Sequence, residues 1–237
     1  MTHPAGPPVL VACAHGTRNP TGRRLIAELA LTARRLRPGL ETTAAFVDVQ
    51  PPTVTDVVAG LSAAGRGAVV VPLLLSGGYH VHVDIAGAVA GVEGTVAARP
   101  LGPDPRLVEV LRDRLTEAGA DPCDSLTAVV LAAAGSSDPR AVADVEDTAD
   151  LLQRSWAGAV TTGYGSAARP TVPDAVAAAR RGGAERVVVA AYLLAPGHFR
   201  DKLAGAGADT VTAPLLPDDR VAAVLLDRYD AAVAPLS

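Results

Sequence analysis

The sequence predicts an α/β protein made of two tandem halves, each with a four-stranded parallel sheet, and a cleft between the halves. Short apolar runs rich in Val, Leu and Ala alternate with amphipathic stretches of helical length, a pattern typical of parallel strands joined by helices. The series starts again after AGADPCDS at 118–125, whose Gly, Pro and Asp residues favour a linker. We therefore expect an N-terminal half at 1–120 and a C-terminal half at 126–237.

Each half contains four apolar runs and four intervening helical segments. In the first half we expect strands near 8–14, 42–47, 67–75 and 95–98, and helices near 20–36, 53–64, 82–90 and 104–118. In the second half we expect strands near 126–133, 158–163, 186–193 and 209–212, with helices between them and a last helix to about residue 232.

Three pairs of motifs show that the halves are repeats. HGTRNP at 15–20 aligns with AGSSDP at 134–139, and PTVTDVV at 52–58 aligns with PTVPDAV at 170–176. LLSGGYH, ending at His80, aligns with LLAPGH, ending at His198. The offset is 118 or 119 residues throughout, which indicates duplication of one α/β unit.

Composition and charge narrow the classes of function. A content of 49% hydrophobic and 19% charged residues is that of a globular protein with a sizeable core. The formal charge of −4 and the lack of a basic cluster with aromatic residues argue against nucleic-acid binding. No apolar run reaches the roughly 18–20 residues of a membrane span, and MTHPAGPP at the N-terminus does not resemble a signal peptide, so we expect a cytoplasmic protein.

The two cysteines do not suggest a metal or disulfide site. Cys13 and Cys123 are 110 positions apart, which fits no zinc-binding spacing. Cys13 lies in an apolar run, and we expect it to pack in the core as a small hydrophobic residue.

Three polar residues follow predicted strands of the first half. His15 follows VLVACA, Asp48 follows TTAAFV, and His80 follows VVVPLLLSGGY. Parallel sheets build ligand sites where strands end, and two imidazoles with one carboxylate can bind a divalent first-row transition metal while leaving positions free. Taken singly, a histidine after a strand is more often a capping or hydrogen-bonding residue, so the prediction depends on their convergence.

The second half lacks two of these three residues. Ala134 stands at the position of His15 and Ser166 at that of Asp48, whereas His198 matches His80. We therefore expect the chemistry in the first half, with the second half covering or shaping the cleft.

Other polar residues near these motifs are candidates for substrate binding. His82 lies two positions after His80, which suits contact with an acidic substrate better than a place on the same metal. Asp84 has the simpler interpretation of an acid that favours a helix N-terminus. Positive charge near the same edge could come from Arg18, Arg23, Arg24 and Arg200.

These motifs resemble those of the class II sirohydrochlorin chelatases, the cobalt- and iron-inserting family called CbiX and SirB. ACAHGTRNP is similar to the first-strand His-Gly motif of the family, and PLLLSGGYHVHVDI is similar to its second motif. AFVDVQPPTV resembles the segment between them. The resemblance covers almost the whole chain, because family members of this length are also tandem α/β halves.

The resemblance implies insertion of Fe(II) or Co(II) into sirohydrochlorin, a flexible macrocycle with eight carboxylates, for siroheme or cobalamin synthesis, without ATP or an organic cofactor. The metal-binding, catalytic histidines of the family fall on His15 and His80. The intervening acid, usually glutamate, is Asp48 here. Residues assigned to substrate binding are His82, which is commonly basic in the family, and Arg18, Gly77, Gly78, Tyr79 and His198.

Two other functions compete with this interpretation. AHGTR superficially resembles the nucleophile motif of histidine phosphatases, but Ala14 occupies the position of the arginine that would bind phosphate. A carrier of metal or tetrapyrrole could use the same pocket without turnover. Two fused halves remove the need for a homodimer, so we expect a monomer.

Overall fold

The computed structural model of the chain describes residues 6–78 and 80–234, and only the backbone at residues 80–82. These residues form two compact units, one made of the described residues within 1–101 and 219–237 and the other made of residues 102–218. Each unit contains one parallel sheet of four strands, which confirms the predicted α/β class and the two tandem sheets. No helix within the described ranges is long and apolar enough to cross a membrane.

The first unit alternates strands and helices from its start. Its elements are β1 (Val9–Ala14), α1 (Pro20–Leu36), β2 (Thr42–Phe46), α2 (Val54–Ala63), β3 (Ala68–Pro72), a π-helical turn (His80–Ile85), α3 (Ala86–Val89) and β4 (Thr95–Ala97). The strand order is β2-β1-β3-β4, and all neighbouring strands are parallel. The C-terminal ends of β1, β2 and β3 therefore lie at one edge of the sheet.

The second unit repeats this arrangement. Its elements are α4 (Pro105–Glu117), β5 (Thr127–Ala133), α5 (Pro139–Gln153), β6 (Val160–Tyr164), α6 (Val172–Arg181), β7 (Arg186–Ala191), α7 (His198–Leu203) and β8 (Thr210–Val211). The strand order is β6-β5-β7-β8, again parallel. Because β1, β2, β3 and β4 have counterparts in the same order, the structure confirms the repeat predicted from the motifs.

The compact units differ from the predicted halves in their last helices. Helix α4 belongs to the second unit, where it packs against α5 and β7. Helix α8 (Asp219–Val233) belongs to the first unit, where it packs against α1 and β3. The loop at 118–125, predicted as the linker, lies inside the second unit. An apolar helix face can cover any apolar sheet surface within reach, so its place in the sequence does not determine its sheet.

Specific polar contacts hold each of these helices to its unit. The Arg114 guanidinium of α4 donates to the carbonyl oxygens of Pro214, Leu215 and Pro217. In α8, Arg228 donates to the carbonyl oxygens of residues 100 and 101. The same helix is joined to α1 and the residue after it by the ion pairs Arg35–Asp219 and Arg37–Asp230.

The central strands are buried on both faces. All six residues of β1 and all five of β3 are buried, as expected for a parallel sheet covered by helices on both sides. In β1, Val11 and Cys13 point to the face where α2 packs, together with Ile85 of the π-helical turn. This packing fixes the β1 end from which the next residue, His15, extends.

Tyr164, at the end of β6, has a buried hydroxyl group. Its side chain is only 2% exposed, and its hydroxyl makes no hydrogen bond of normal geometry with any described residue. Burial raises the pKa of Tyr164, and the nearby Thr162 hydroxyl offsets only part of this rise. The equivalent residue of the first unit is Phe46, which fills this position without a hydroxyl.

We expect Tyr164→Phe to raise the free energy of unfolding by about 1 kcal/mol, because it removes a buried polar atom that has no hydrogen-bond partner among the described residues. Tyr192→Phe is the matched control, since the buried Tyr192 hydroxyl accepts a hydrogen bond from Thr148 at 3.3 Å. It should lower stability by about 1 kcal/mol. Urea unfolding of both variants measures the difference, and a less stable Tyr164→Phe variant would contradict the assignment.

Candidate functional site

The ends of β1 and β2 are joined directly by their backbones. The Val47 N–H donates to the Ala14 carbonyl at 2.9 Å, and the Asp48 N–H donates to the His15 carbonyl at 3.0 Å. The half-buried His15 and the exposed Asp48 are therefore neighbours at the C-terminal edge of the first sheet. This places two of the three predicted metal ligands on adjacent, hydrogen-bonded segments.

Gly16 allows this close approach. Its φ is +99°, a conformation that favours glycine over any residue with a Cβ. A Cβ added to Gly16 would overlap the backbone oxygen of Asp48. The glycine of the His-Gly motif is therefore required both by its own conformation and by the neighbouring segment.

Side chains on both segments hold the turn after His15. The Gln50 Oε1 atom accepts a hydrogen bond from the Thr17 N–H at 3.2 Å, and the Arg23 Nε atom donates to the Thr17 carbonyl at 2.6 Å. Asn19 caps α1 by accepting from the Gly22 N–H at 3.0 Å. These bonds fix the direction in which the chain leaves His15. Sequence reasoning did not identify Gln50, which no motif or charge pattern distinguished.

The second unit contains the same turn with different side chains. The Gly165 N–H donates to the Ala133 carbonyl at 2.9 Å, and a Cβ on Gly135, with φ of +92°, would overlap the Ser166 backbone oxygen. The Ser166 hydroxyl donates to the Ala134 carbonyl at 3.0 Å. The backbone geometry is thus repeated, whereas the imidazole and the carboxylate occur only in the first unit.

The segment after β3 starts beside His15 and then enters an unusual helix. The Leu73 N–H donates to the Cys13 carbonyl at 2.7 Å, which keeps the end of β3 next to β1. We predicted an α-helix over 82–90, but a π-helical turn occupies His80–Ile85 and α3 is a single turn. Isolated π-helical turns are frequent at functional sites.

Two of the predicted site histidines lie in this turn. The structure describes only the backbone of His80 and His82, and Tyr79 lies outside the described residues. The convergence of the His80 side chain with His15 therefore stays a prediction. Of the glycines before it, Gly77 is buried and Gly78 is half-buried.

Asp84, in the π-helical turn, lies near the Cys13 thiol at the end of β1. Burial raises the pKa of the Cys13 thiol to about 12, and the nearby Asp84 carboxylate adds to this rise. The sequence pattern predicted only that Asp84 favours a helix N-terminus, and it did not predict that Asp84 lies near Cys13. Cys13 itself is fully buried in the apolar core, which confirms that it is a core residue.

The Asp48 carboxylate has a partner in its own turn. Its Oδ1 atom accepts a hydrogen bond from the Val49 N–H at 2.6 Å. Within the described part of the chain, no three His, Cys, Asp or Glu side chains are grouped closely enough to hold a metal ion. The predicted set of His15, Asp48 and His80 includes a side chain outside that part, so it stays a prediction.

Comparison with known proteins identifies the family. The CbiX family matches residues 9–118 and 128–232, which is most of both repeats. The chain belongs to the CbiX family.

Curated relatives of this CbiX family member carry two names. It is 29% identical over 204 residues to a sirohydrochlorin ferrochelatase of Priestia megaterium, covering 82% of this chain and 76% of that protein. It is 26% identical over 202 residues to a sirohydrochlorin cobaltochelatase of the same organism, covering 80% of this chain and 65% of that one. The chain thus spans just under two thirds of the cobaltochelatase.

Solved structures show the same fold. SirB from Bacillus subtilis with Fe³⁺ matches with a TM-score of 0.81 and 20% identity, over 97% of each chain. CbiX, described as the terminal enzyme for siroheme biosynthesis in denitrifying bacteria, matches with a TM-score of 0.67 and 19% identity, over 94% of this chain and 99% of that one. At these identities the likeness shows the fold of the CbiX family.

The remaining candidate side chains of this CbiX protein are distributed over both units. Arg18 is exposed in the turn after His15, whereas Arg24 is paired with Glu28 on the surface of α1. In the second unit, His198 is exposed at the start of α7 and makes an edge-to-face contact with Phe199. Arg200 donates to the Thr212 carbonyl at 3.1 Å, which indicates a role in holding α7 to β8.

A groove of about 500 Å³ in the second unit lies away from these residues. Its lining comes from the starts of β5 and β6 and the end of α6, for example Leu126, Ala159 and Gly183. It contains no charged side chain and no histidine or cysteine. The groove therefore lacks the imidazole, thiolate and carboxylate groups that hold a divalent transition metal.

The two cysteines should differ sharply in reactivity. We expect a thiol reagent at about pH 8 to modify the exposed Cys123 in the folded protein, and Cys13 only after denaturation, because the thiolate is the reactive form. Ellman titration with and without denaturant measures this difference. Modification of two thiols in the native protein would show that the end of β1 is not packed as described.

Gly16→Ala should destabilise the protein by at least about 1 kcal/mol more than Gly65→Ala. Both glycines have positive φ, at +99° and +69°, but a Cβ at Gly65 meets nothing within 4 Å. The control therefore contains the conformational cost of roughly 1–2 kcal/mol without the clash. Urea unfolding compares the variants, and equal losses would contradict the close contact with Asp48.

Proposed function

We propose that this chain is a sirohydrochlorin chelatase that inserts Fe(II) or Co(II) into the macrocycle, a lyase-type reaction of siroheme or cobalamin synthesis. The observation that carries the proposal is the match to the CbiX family across both repeats. The relatives named as sirohydrochlorin ferrochelatase and cobaltochelatase support the substrate. The turn that presents His15 beside Asp48 supports a site at the edge of the first sheet.

His15 and His80 are the residues proposed to bind the metal ion and to accept protons. Insertion replaces two pyrrole N–H protons with one divalent ion, so two protons must leave the macrocycle. A neutral imidazole can accept such a proton or bind the ion, and these are the two roles that the reaction requires. A site with only two or three protein ligands also holds the ion loosely enough to transfer it to the macrocycle.

The acidic substrate requires basic partners at the same edge. Arg18 is exposed two positions after Gly16, and a guanidinium can bind a carboxylate through two parallel hydrogen bonds. We assign the same role to His82, and substrate contact to Gly77, Gly78, Tyr79 and His198. A cytoplasmic monomer that uses no organic cofactor remains part of the proposal.

Substitution of the histidines tests both the activity and its location. We expect His15→Ala and His80→Ala each to lower the initial rate of metal insertion by about 10²–10⁴-fold, the range of a lost proton-transfer group. His198→Ala, the control from the second repeat, should lower it less than about tenfold, because its contact is one of many. The rates come from absorption spectra with the uncatalysed reaction subtracted.

Each variant must first show an unchanged thermal midpoint and retained binding of sirohydrochlorin. A wild-type protein that binds the macrocycle without accelerating insertion would be a carrier. Loss of activity in His198→Ala, with His15→Ala still active, would place the site in the second repeat.

A further inference from the structure

Val49 has an unusual backbone conformation beside the candidate site. Its φ is +68°, in the left-handed region that β-branched residues rarely adopt. The side chain is 40% exposed, so burial in the core does not explain the choice of valine. Strained residues of this kind are kept where the surrounding structure fixes them, often at binding sites.

Asp48 holds Val49 in this conformation. The Asp48 Oδ1 atom accepts from the Val49 N–H at 2.6 Å, and the Asp48 carbonyl accepts from the Gln50 N–H at 2.8 Å. Both bonds close the turn around Val49 from the preceding residue. The side chain of Asp48 is thus engaged in shaping the turn.

The turn directs the valine side chain toward the segment that follows His15. The Val49 Cβ lies only 3.1 Å from the position that a Cβ of Gly16 would occupy. On the other side of β1, the π-helical turn after β3 exposes Val83. Because β2 and β3 both neighbour β1, exposed apolar side chains flank the end of the strand that precedes His15.

The second unit shows that the turn itself does not need valine. The equivalent residue, Ala167, has a φ of +56° and the same backbone bond, from the Ala168 N–H to the Ser166 carbonyl. The larger side chain therefore occurs only in the repeat that carries His15.

We propose that Val49 is a substrate-binding residue that packs against the apolar face of the tetrapyrrole ring, and that Asp48 is the positioning residue that holds it there. This inference rests on the proposed function. The rim of the macrocycle carries carboxylates, but its conjugated face is apolar, and an exposed isopropyl group beside His15 matches that face. The contact would keep the ring against the edge of the first sheet.

Val49→Ala and Val49→Gly test the proposal by anaerobic fluorescence titration with metal-free sirohydrochlorin. Loss of the methyl groups should weaken binding by about tenfold. Glycine also relieves the left-handed backbone, so Val49→Gly should raise the thermal midpoint while it weakens binding. A merely structural role would move both quantities in the same direction. Ala167→Gly, the matched control, should raise the midpoint without changing the Kd.

Two variants of Asp48 test its positioning role in the same titration. Asp48→Asn keeps an oxygen that can accept from the Val49 N–H, so its Kd should stay within about threefold of the wild-type value. Asp48→Ala removes this acceptor and should weaken binding by more than about threefold. Equal effects of the two variants would overturn the positioning role.

The outcomes separate this inference from the proposed function. If the wild-type protein binds sirohydrochlorin and both Val49 variants bind it within about threefold as tightly, the valine contact is wrong and the chelatase proposal stands. If the wild-type protein does not bind sirohydrochlorin, the proposed function fails and the valine contact fails with it.

Discussion

The close contact between the turn after β1 and the loop after β2 is the constraint on which the candidate site depends. The Asp48 N–H donates to the His15 carbonyl at 3.0 Å, and Gly16 lacks the Cβ that would prevent this approach. Since Ala14 also accepts from Val47, the two segments leave the sheet as a pair. This backbone contact places a histidine, a carboxylate and an exposed valine side by side at the edge of the sheet.

The second repeat has the same backbone turn but carries different side chains on it. Gly135 approaches Ser166 as Gly16 approaches Asp48, and Ala167 shares the left-handed conformation of Val49. The turn is therefore a property of the fold and not of the chemistry. Its side chains differ in charge, size and proton-transfer capacity, and this difference is the basis of the proposal that the reaction takes place in the first repeat.

Much of this arrangement could be predicted from the sequence because it depends on local patterns. Apolar runs such as VLVACA define strands that are buried on both faces, and the motif pairs define the repeat. Exchange of the last helices could not be predicted, since the buried faces of α4 and α8, with Leu111 and Leu225, are both apolar. The π-helical turn was missed because apolar periodicity does not distinguish it from an α-helix. The strained Val49 was also missed, because valine rarely adopts a positive φ and its residue type therefore gives no signal of that conformation.

The central claim is that the metal ion binds at the end of β1 in the first repeat. Anomalous diffraction from crystals soaked with Co(II), recorded at the cobalt edge, locates the ion directly. We predict the strongest peak within coordination distance of a His15 ring nitrogen, about 2.0–2.2 Å for an imidazole ligand of a divalent ion. A strongest peak at His198 in the second repeat, with none at His15, would contradict the account.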